Sequence, residues 1–163
     1  MTHARALATG GPLGAIAYIE KDPREPADIL SAPQLRATLD VGRPVAVLLV
    51  AVLHFPTDGD QAHVAVGKLI GAMPTGSYLV ISHATSDLIS DHDRTRLQLL
   101  MQPDGGHGPF KFRTGPEIAA FVDGMNLAEP GLVPIQTWRP DADSETGPDD
   151  ELGMYAVVAR KTT

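Results

Sequence analysis

The chain of 163 residues contains no cysteine. Disulfides, thiolate nucleophiles, cysteine-ligated zinc and iron–sulfur clusters are therefore excluded. The absence agrees with a reducing compartment, and we expect a cytoplasmic protein. Long apolar stretches are also missing, since the longest one covers only residues 45–53. That length is too short for a helix that crosses a bilayer, so we expect no membrane partner.

Positive charge is scarce as well. Lysine and arginine together number 13 against 20 aspartates and glutamates, for a formal net charge of −7. A net-negative chain lacks the basic surface that phosphate backbones require, so we expect no nucleic-acid partner. The hydrophobic share of 43% is ordinary for a globular protein, and the length suits one domain. We therefore expect a single domain over residues 1–163.

Short apolar runs alternate with amphipathic segments along the chain. The apolar runs predict strands at residues 15–19, 45–53, 78–82 and 154–159. The amphipathic segments predict helices from Pro26 to Leu39 with a break at Pro33, at residues 60–73 and 88–102, and behind a capping box at residues 114–117. This alternation predicts an α/β fold with a mostly parallel sheet. The extended residues 127–138 and the last strand should form an antiparallel hairpin at one edge.

The run at residues 45–53 shows no polar alternation, which predicts a strand covered by helices on both faces. Ligands of open α/β sheets bind at the carboxyl ends of the strands. Polar residues follow three predicted strands at this point, beginning with Asp22, His54 and His83. We expect these three side chains on the same rim of the sheet.

His54 and His83 are the strongest candidates for chemistry. Each could act as a general base, as an orienting hydrogen-bond partner or as a metal ligand; the alternative is a ring bonded to a strand-end carbonyl. Asp58 and Asp87 lie nearby in sequence, but the spacing typical of metal ligands is missing, so no metal site is predicted. Asp22 could accept hydrogen bonds from a nucleoside amine or hydroxyl, or it could simply cap a turn.

Other polar residues carry weaker signals. Ser77 and Ser82 are possible nucleophiles, but neither lies in a G-x-S-x-G elbow. The glycines of residues 10–14 precede a predicted strand and therefore indicate a turn, not a phosphate-binding loop. The remaining histidines are expected to be exposed or to lie on a helix surface: His3, His63, His92 and His107.

Several stretches together carry a family pattern. They are HARAL from His3, YIEKDPREP from Tyr18, PVAVLLVAVLHF from Pro44, GSYLVISHA from Gly76, EPGLVP from Glu129, WRP from Trp138 and the closing residues 155–161. They resemble the actinobacterial S-adenosyl-L-methionine-dependent methyltransferase family, first described as a domain of unknown function. The resemblance extends over nearly the whole chain, and the stretches from Pro44 and Gly76 are its specific part.

The resemblance implies the class I methyltransferase sheet, with strand order 3-2-1-4-5-7-6 and strand seven antiparallel, and S-adenosyl-L-methionine as cofactor. Asp22 then lies where such enzymes hold the adenine amino group. His54 and His83 face the transferred methyl group or its acceptor. The cofactor-contacting residues implied in this way are Asp22, Pro23, Val50, Ala51, Leu53 and His54.

Members of the family carry further segments before this region. These are an N-terminal helical segment, a glycine-containing first strand and loop, and a second strand that ends in an acidic residue. The resemblance implies that they hold the carboxypropyl chain and the ribose of the cofactor. We therefore expect an N-terminally truncated chain that binds S-adenosyl-L-methionine weakly or not at all. Without those strands, residues 15–19 should pair in parallel with residues 45–53, or the chain should self-associate through that edge.

The leading hypothesis is a methyltransferase-family protein that acts on an unidentified small molecule, impaired by the loss of its main cofactor motif. The reaction would be in-line attack on the sulfonium methyl group, helped mainly by positioning, with a histidine base only where the acceptor needs deprotonation. The alternative is a non-catalytic α/β module that dimerises or binds a partner chain. A metal-dependent hydrolase using His54, His83 and aspartates is disfavoured by the ligand spacing.

Overall fold

A computed structural model of the chain describes residues 14–55, 59–90, 110–141 and 153–163. These ranges contain five strands: β1 Ala46–Val50, β2 Tyr78–Ala84, β3 Asn126–Leu127, β4 Val133–Pro134 and β5 Met154–Arg160. The helices are α1 Pro26–Leu30, α2 Pro33–Thr38, α3 Gly59–Gly71 and α4 Gly115–Ala119, with single 3₁₀ turns at Ala120–Val122 and Ile135–Thr137. Most of the predicted helix at residues 88–102 and most of the predicted turn at residues 10–14 lie outside the described residues.

The strands form one sheet in the order β1-β2-β5-β3, and β4 also pairs with β5. β1 and β2 run parallel, whereas β5 is antiparallel to β2, β3 and β4. Four strands therefore point the same way and only β5 is reversed, which confirms the α/β class and the mostly parallel sheet. The expected antiparallel pairing at one edge is confirmed, because β3 and β4 pair with β5 at the end of the sheet away from β1.

One face of the sheet carries the core. Leu49, Ile81 and Val157 share a register row across β1, β2 and β5, and all three are buried. α3 packs on this face with Ala62 and Val66, and α4 with its following 3₁₀ turn contributes Ile118, Phe121 and Val122. Side chains alternate across a strand, so this row and its neighbours face the helices.

The opposite face of β1 is exposed, which corrects the expectation of helices on both faces. Leu48 is 61% exposed and Val50 is 53% exposed. Both alternate with the core residue Leu49, so they point away from α3. An unbroken apolar run makes a strand able to be buried on both faces. Whether it is buried depends on helices from other parts of the chain. Among the described ranges, no helix covers these two side chains.

The outer edge of β1 also departs from expectation. β2 is the only described strand that pairs with β1. Residues 15–19 form no strand, and Ile16 is 54% exposed. The predicted strand at 15–19 and its pairing with residues 45–53 were therefore both wrong. β-branched composition favours a strand only when a partner backbone supplies hydrogen bonds, and here none of the described segments does so.

Polar side chains secure the ends of β1 and α3. Ser77 Oγ accepts a hydrogen bond from the Val45 amide at 3.1 Å, just before β1. Lys161 follows β5 and donates from Nζ to the carbonyls of Ile70 (3.0 Å) and Met73 (2.7 Å) at the end of α3. A cation is favourable there because the last carbonyls of a helix carry partial negative charge. No helix in the described part of the chain is long and apolar enough to cross a membrane.

The predicted capping box is confirmed at the start of α4. The Thr114 amide donates to Glu117 Oε2 at 2.8 Å, and Thr114 Oγ1 accepts from the Glu117 amide at 3.5 Å. The Gly115 amide donates to Asp87 Oδ2 at 2.7 Å, so the segment after β2 holds the same helix end. These bonds satisfy amides that have no partner inside the helix.

Candidate functional site

The carboxyl ends of β1 and β2 bring two histidines together. His83 lies near the end of β2, and His54 follows β1. Their ring centroids are 5.6 Å apart, with the ring planes nearly perpendicular at 88°. Parallel strands end at the same edge of a sheet, so the expected shared rim is confirmed for this pair. The chemical role of either histidine stays a prediction.

Both ring nitrogens of His83 are engaged. Nδ1 lies 2.7 Å from the Ala84 carbonyl oxygen, and Nε2 lies 2.7 Å from Nη1 of Arg113. A carbonyl oxygen only accepts and a guanidinium only donates, so Nδ1 carries the proton and Nε2 accepts. His83 is fully buried, and burial lowers the pKa of its imidazole. The ring is therefore neutral in one tautomer and has no free nitrogen for proton transfer.

His54 is different because one of its nitrogens has no partner in the described part of the chain. It is 5% exposed, and among the described residues no atom bonds to its buried Nδ1. The Phe110 ring lies against it with centroids 4.2 Å apart, and the Phe55 ring lies at 4.6 Å. Burial, and then the neighbouring His83 and Arg113, lower the pKa of His54 from 6.5 to about 4. His54 is therefore a neutral imidazole with an unused hydrogen-bonding atom.

Arg113 is a central residue that sequence reasoning missed. It is 1% exposed, and its Nη1 donates both to the Leu53 carbonyl at 2.6 Å and to His83 Nε2 at 2.7 Å. Its guanidinium carbon lies 5.4 Å from the centroid of the Phe121 ring. Arginine is usually exposed, and an arginine directly before a capping box carries no local sign of burial. The alternating aromatic residues before it, Phe110 and Phe112, were the available signal.

Asp22 does not join the histidines. Its carboxylate is exposed and bonded to the neighbouring Arg24, whose Nε lies 3.0 Å from both oxygens. This hydrogen bonding lowers the pKa of Asp22 to about 2. No strand is present in the described residues before Asp22, which are 14–21. It therefore occupies the polar-turn alternative, with the Arg24 amide bonded to Oδ1 at 2.9 Å. The expected rim of three strand-ending residues was therefore wrong for Asp22.

Pro23 does approach the end of β1. It lines a cavity of about 20 Å³ between β1 and α3. The residues that line this cavity are Pro23, Arg24, Leu49, Val52, Leu53, Ala62, Ala65, Val66 and Leu69. A volume of this size holds about one water molecule. The structure thus brings Pro23 and Leu53 to one small apolar space.

Val50 and Ala51 do not line that cavity. Val50 ends β1 with its side chain on the exposed face. Ala51 has a φ of 52°, in the left-handed region that residues other than glycine seldom adopt. Its amide donates to Ser82 Oγ at 3.0 Å.

Ser77 and Ser82 both accept main-chain hydrogen bonds beside β1, which gives the two serines a structural role.

The other histidines add little to the site. His63 lies on the surface of α3, where it is half-buried and stacks on Phe121 with centroids 4.0 Å apart. A helix faces the core on one side, and position 63 lies beside that side of α3. His3, His92 and His107, together with Asp58, lie outside the described residues. Within the described ranges, no group of three metal-ligating side chains converges.

Comparison with known proteins identifies relatives of this chain. Residues 1–162 match the model of a family described as S-adenosyl methyltransferase. A DUF574 family protein from Streptomyces avermitilis is 37% identical with a TM-score of 0.86, covering 98% of this chain and 60% of its own. A protein from Thermobifida fusca assigned as a methyltransferase is 31% identical with a TM-score of 0.80, covering 99% and 59%. No curated protein matches.

A more distant structure shares the fold alone. The S-adenosylmethionine-dependent methyltransferase from Methanosarcina mazei is 13% identical with a TM-score of 0.61, over 98% of this chain and 76% of its own. The chain spans about 60% of the length of the Streptomyces relative. The order β1-β2-β5-β3 corresponds to the 4-5-7-6 part of the sheet expected from the sequence resemblance, with the reversed strand in the expected place.

Proposed function

This chain belongs to the S-adenosyl methyltransferase family, and we propose that His54 marks the acceptor side of a methyl-transfer site for a small molecule. S-adenosyl-L-methionine is the cofactor of the family, as the sequence resemblance implied. The methyl acceptor is a small molecule of unidentified structure. We also propose a cytoplasmic location, which suits a chain without cysteine and which cell fractionation would test.

The buried Nδ1 of His54, which has no partner among the residues that the structure describes, carries this proposal. A buried polar atom without a partner is costly, so a ligand group that bonds to it gains more than it would at an exposed atom. With a pKa of about 4, the imidazole is a weak base. It therefore suits the orientation of an acceptor by hydrogen bonding better than the removal of a proton from an alcohol. His83 cannot share this task because both of its nitrogens are engaged.

The described residues do not fit S-adenosyl-L-methionine as a complete site. Pro23 and Leu53 share a cavity of about 20 Å³, whereas ligand pockets usually measure about 300–1,000 Å³. The Asp22 carboxylate is already bonded to Arg24, and the Val50 side chain lies on the opposite face of β1. We therefore propose that a polypeptide of these 163 residues binds the cofactor weakly, and we assign no reaction step to the cofactor here.

Calorimetric titration of the 163-residue protein with S-adenosyl-L-methionine tests the impairment. We expect no saturation, with a dissociation constant weaker than about 1 mM. Binding in the low micromolar range would contradict the proposal.

The acceptor role of His54 needs a separate test that does not depend on the cofactor. Protein labelled with nitrogen-15 in its histidines is screened by NMR against small phenols, carboxylic acids and amines. We expect at least one compound to shift the His54 ring nitrogens, with binding lost in His54→Phe and kept in Phe112→Leu. A screen in which no compound shifts His54, or in which His54→Phe binds equally well, would count against the proposal.

A second candidate function is a non-catalytic module that dimerises through β1, and the open strand edge favours it. The Tyr78 amide bonds to the Val45 carbonyl and the Ala51 amide to the Ser82 carbonyl, so odd-numbered residues of this segment face β2. Alternation in a parallel ladder then directs the main-chain groups of Ala46, Leu48 and Val50 outward. A second copy of this chain, running antiparallel about Leu48, would satisfy them.

Light scattering over a range of protein concentrations tests this second function. We expect a dimer that Leu48→Lys converts to a monomer, because a lysine on an edge strand opposes pairing. Val64→Lys is the matched control, since Val64 is an exposed apolar residue of α3 (54% exposed). A wild-type protein that stays monomeric at all concentrations rules out this function.

A further inference from the structure

We propose that Arg113 is a positioning residue that joins the carboxyl ends of β1 and β2 and holds His83 in the tautomer with its proton on Nδ1. This inference depends on the proposed function in one respect, which is that the site is called a methyl-transfer site. Within the described residues, it leaves His54 as the one histidine of the pair whose ring has a nitrogen without a partner. The evidence comes from the backbone of residues 110–113, from the guanidinium contacts and from the charges nearby.

The backbone of residues 110–113 runs along both strand ends. The Lys111 amide donates to the His54 carbonyl at 2.8 Å, and the Arg113 amide donates to the Ala84 carbonyl at 3.2 Å. The first bond fixes this segment to the chain after β1, and the second fixes it to the last residue of β2. The Arg113 side chain therefore starts from a backbone position that the strand ends themselves determine.

The guanidinium then bridges the same two ends. Nη1 lies 2.6 Å from the Leu53 carbonyl and 2.7 Å from His83 Nε2. Arginine has no acceptor and stays protonated, so it can bond to Nε2 only when that nitrogen carries no proton. Nδ1 must then hold the ring proton, and the Ala84 carbonyl at 2.7 Å accepts it. The Arg113 side chain and the Ala84 carbonyl thus select the same tautomer of His83 from opposite sides of the ring.

The charge of Arg113 also acts on both histidines. It lowers the pKa of His54 and of His83, in each case after the larger effect of burial. Glu117 of α4 opposes it at His83 and is itself 3.7 Å from Lys111 Nζ. His63 of α3 approaches from the other side, where it stacks on the same Phe121 ring that lies under the guanidinium. These are the charged and titratable groups that the described elements bring to the pair.

Nitrogen-15 NMR of the histidine rings tests the proposal without cofactor or substrate. In the wild-type protein we expect His83 to show a protonated Nδ1 and an unprotonated Nε2. In Arg113→Met, which keeps a long side chain but removes donor and charge, we expect mixed His83 tautomers and higher titration midpoints for His54 and His83. Arg113→Lys retains a charge and a donor, so it should restore both properties toward the wild type.

Arg36→Met is the matched control, because Arg36 is an exposed arginine of α2. It should leave the ring nitrogens of both histidines unchanged. Circular dichroism establishes which variants fold. A wild-type His83 with its proton on Nε2 would overturn the proposal by itself, even if Arg113→Met does not fold. Unchanged tautomer and midpoints in a folded Arg113→Met would overturn it as well. Neither result bears on cofactor binding, so the two proposals fail separately.

Discussion

Replacement of His54 by phenylalanine should make the protein less sensitive to acid. The imidazole lies between the rings of Phe55 and Phe110, so a phenyl ring suits the same space. Its Nδ1 has no partner among the described residues, so the replacement sacrifices no known hydrogen bond at that atom. Near neutral pH we expect the free energy of unfolding to stay within about 1 kcal/mol of the wild-type value.

The difference appears when the pH is lowered. The pKa of His54 is about 4 in the folded protein against 6.5 for an ordinary histidine. Between these values the unfolded chain binds more protons than the folded one, so the free energy of unfolding falls as the pH falls. His54 alone should cost the wild-type protein about 2 kcal/mol between about pH 7 and about pH 5. Burial also lowers the pKa of His83, which adds to the loss in both proteins.

Urea denaturation at both pH values, followed by the fluorescence of Trp138, measures this difference. Trp138 is the single tryptophan of the chain. The loss of stability on acidification should be about 2 kcal/mol smaller in His54→Phe than in the wild type. Phe112→Leu is the control, since it changes an aromatic neighbour and removes no titratable group. If acidification destabilises His54→Phe as much as the wild type, the buried neutral state of His54 is refuted.

Further substitutions test the main-chain supports and the two faces of β1. Ser82→Ala should lower the free energy of unfolding in urea by about 1 kcal/mol, because the Ala51 amide loses its hydroxyl acceptor; an unchanged value would contradict this. Ala51→Val should be about 2 kcal/mol less stable than Ala51→Gly, since φ is positive there; equal stabilities would exclude that conformation. Lys161→Met should cost about 1–2 kcal/mol and speed amide exchange at the end of α3; protected amides would argue otherwise. Leu48→Asn should cost less than about 0.5 kcal/mol and Leu49→Asn more than about 3 kcal/mol, measured by thermal unfolding; similar costs would show that the faces are misassigned.

Features with a local cause could be predicted from the sequence. The apolar run at residues 78–82 became β2, and the amphipathic segment at 60–73 became α3. The capping box needs only residues three positions apart, and its hydrogen bonds formed as expected. The shared edge of His54 and His83 followed from strand direction, because each histidine comes at or after the end of its own strand.

The pairing of strands had no such local cause. Residues 15–19 have the composition of a strand, yet no described strand lies beside them. The run at residues 45–53 is apolar throughout, yet Leu48 and Val50 are exposed. Composition indicates which secondary structure and which degree of burial a segment can adopt. Its actual pairing and burial depend on which other segments pack against it.

The sequence by itself determined the α/β class, the positions of β1, β2, β5 and α3, and the edge at which the two histidines meet. Only the tertiary structure decided what each histidine can do. Arg113 reaches the Leu53 carbonyl across 60 positions of sequence and His83 across 30. Those contacts make His83 a neutral acceptor and leave Nδ1 of His54 without a described partner. The protonation of a buried ring is set by the atoms that surround it, and those atoms come together only when the chain is folded.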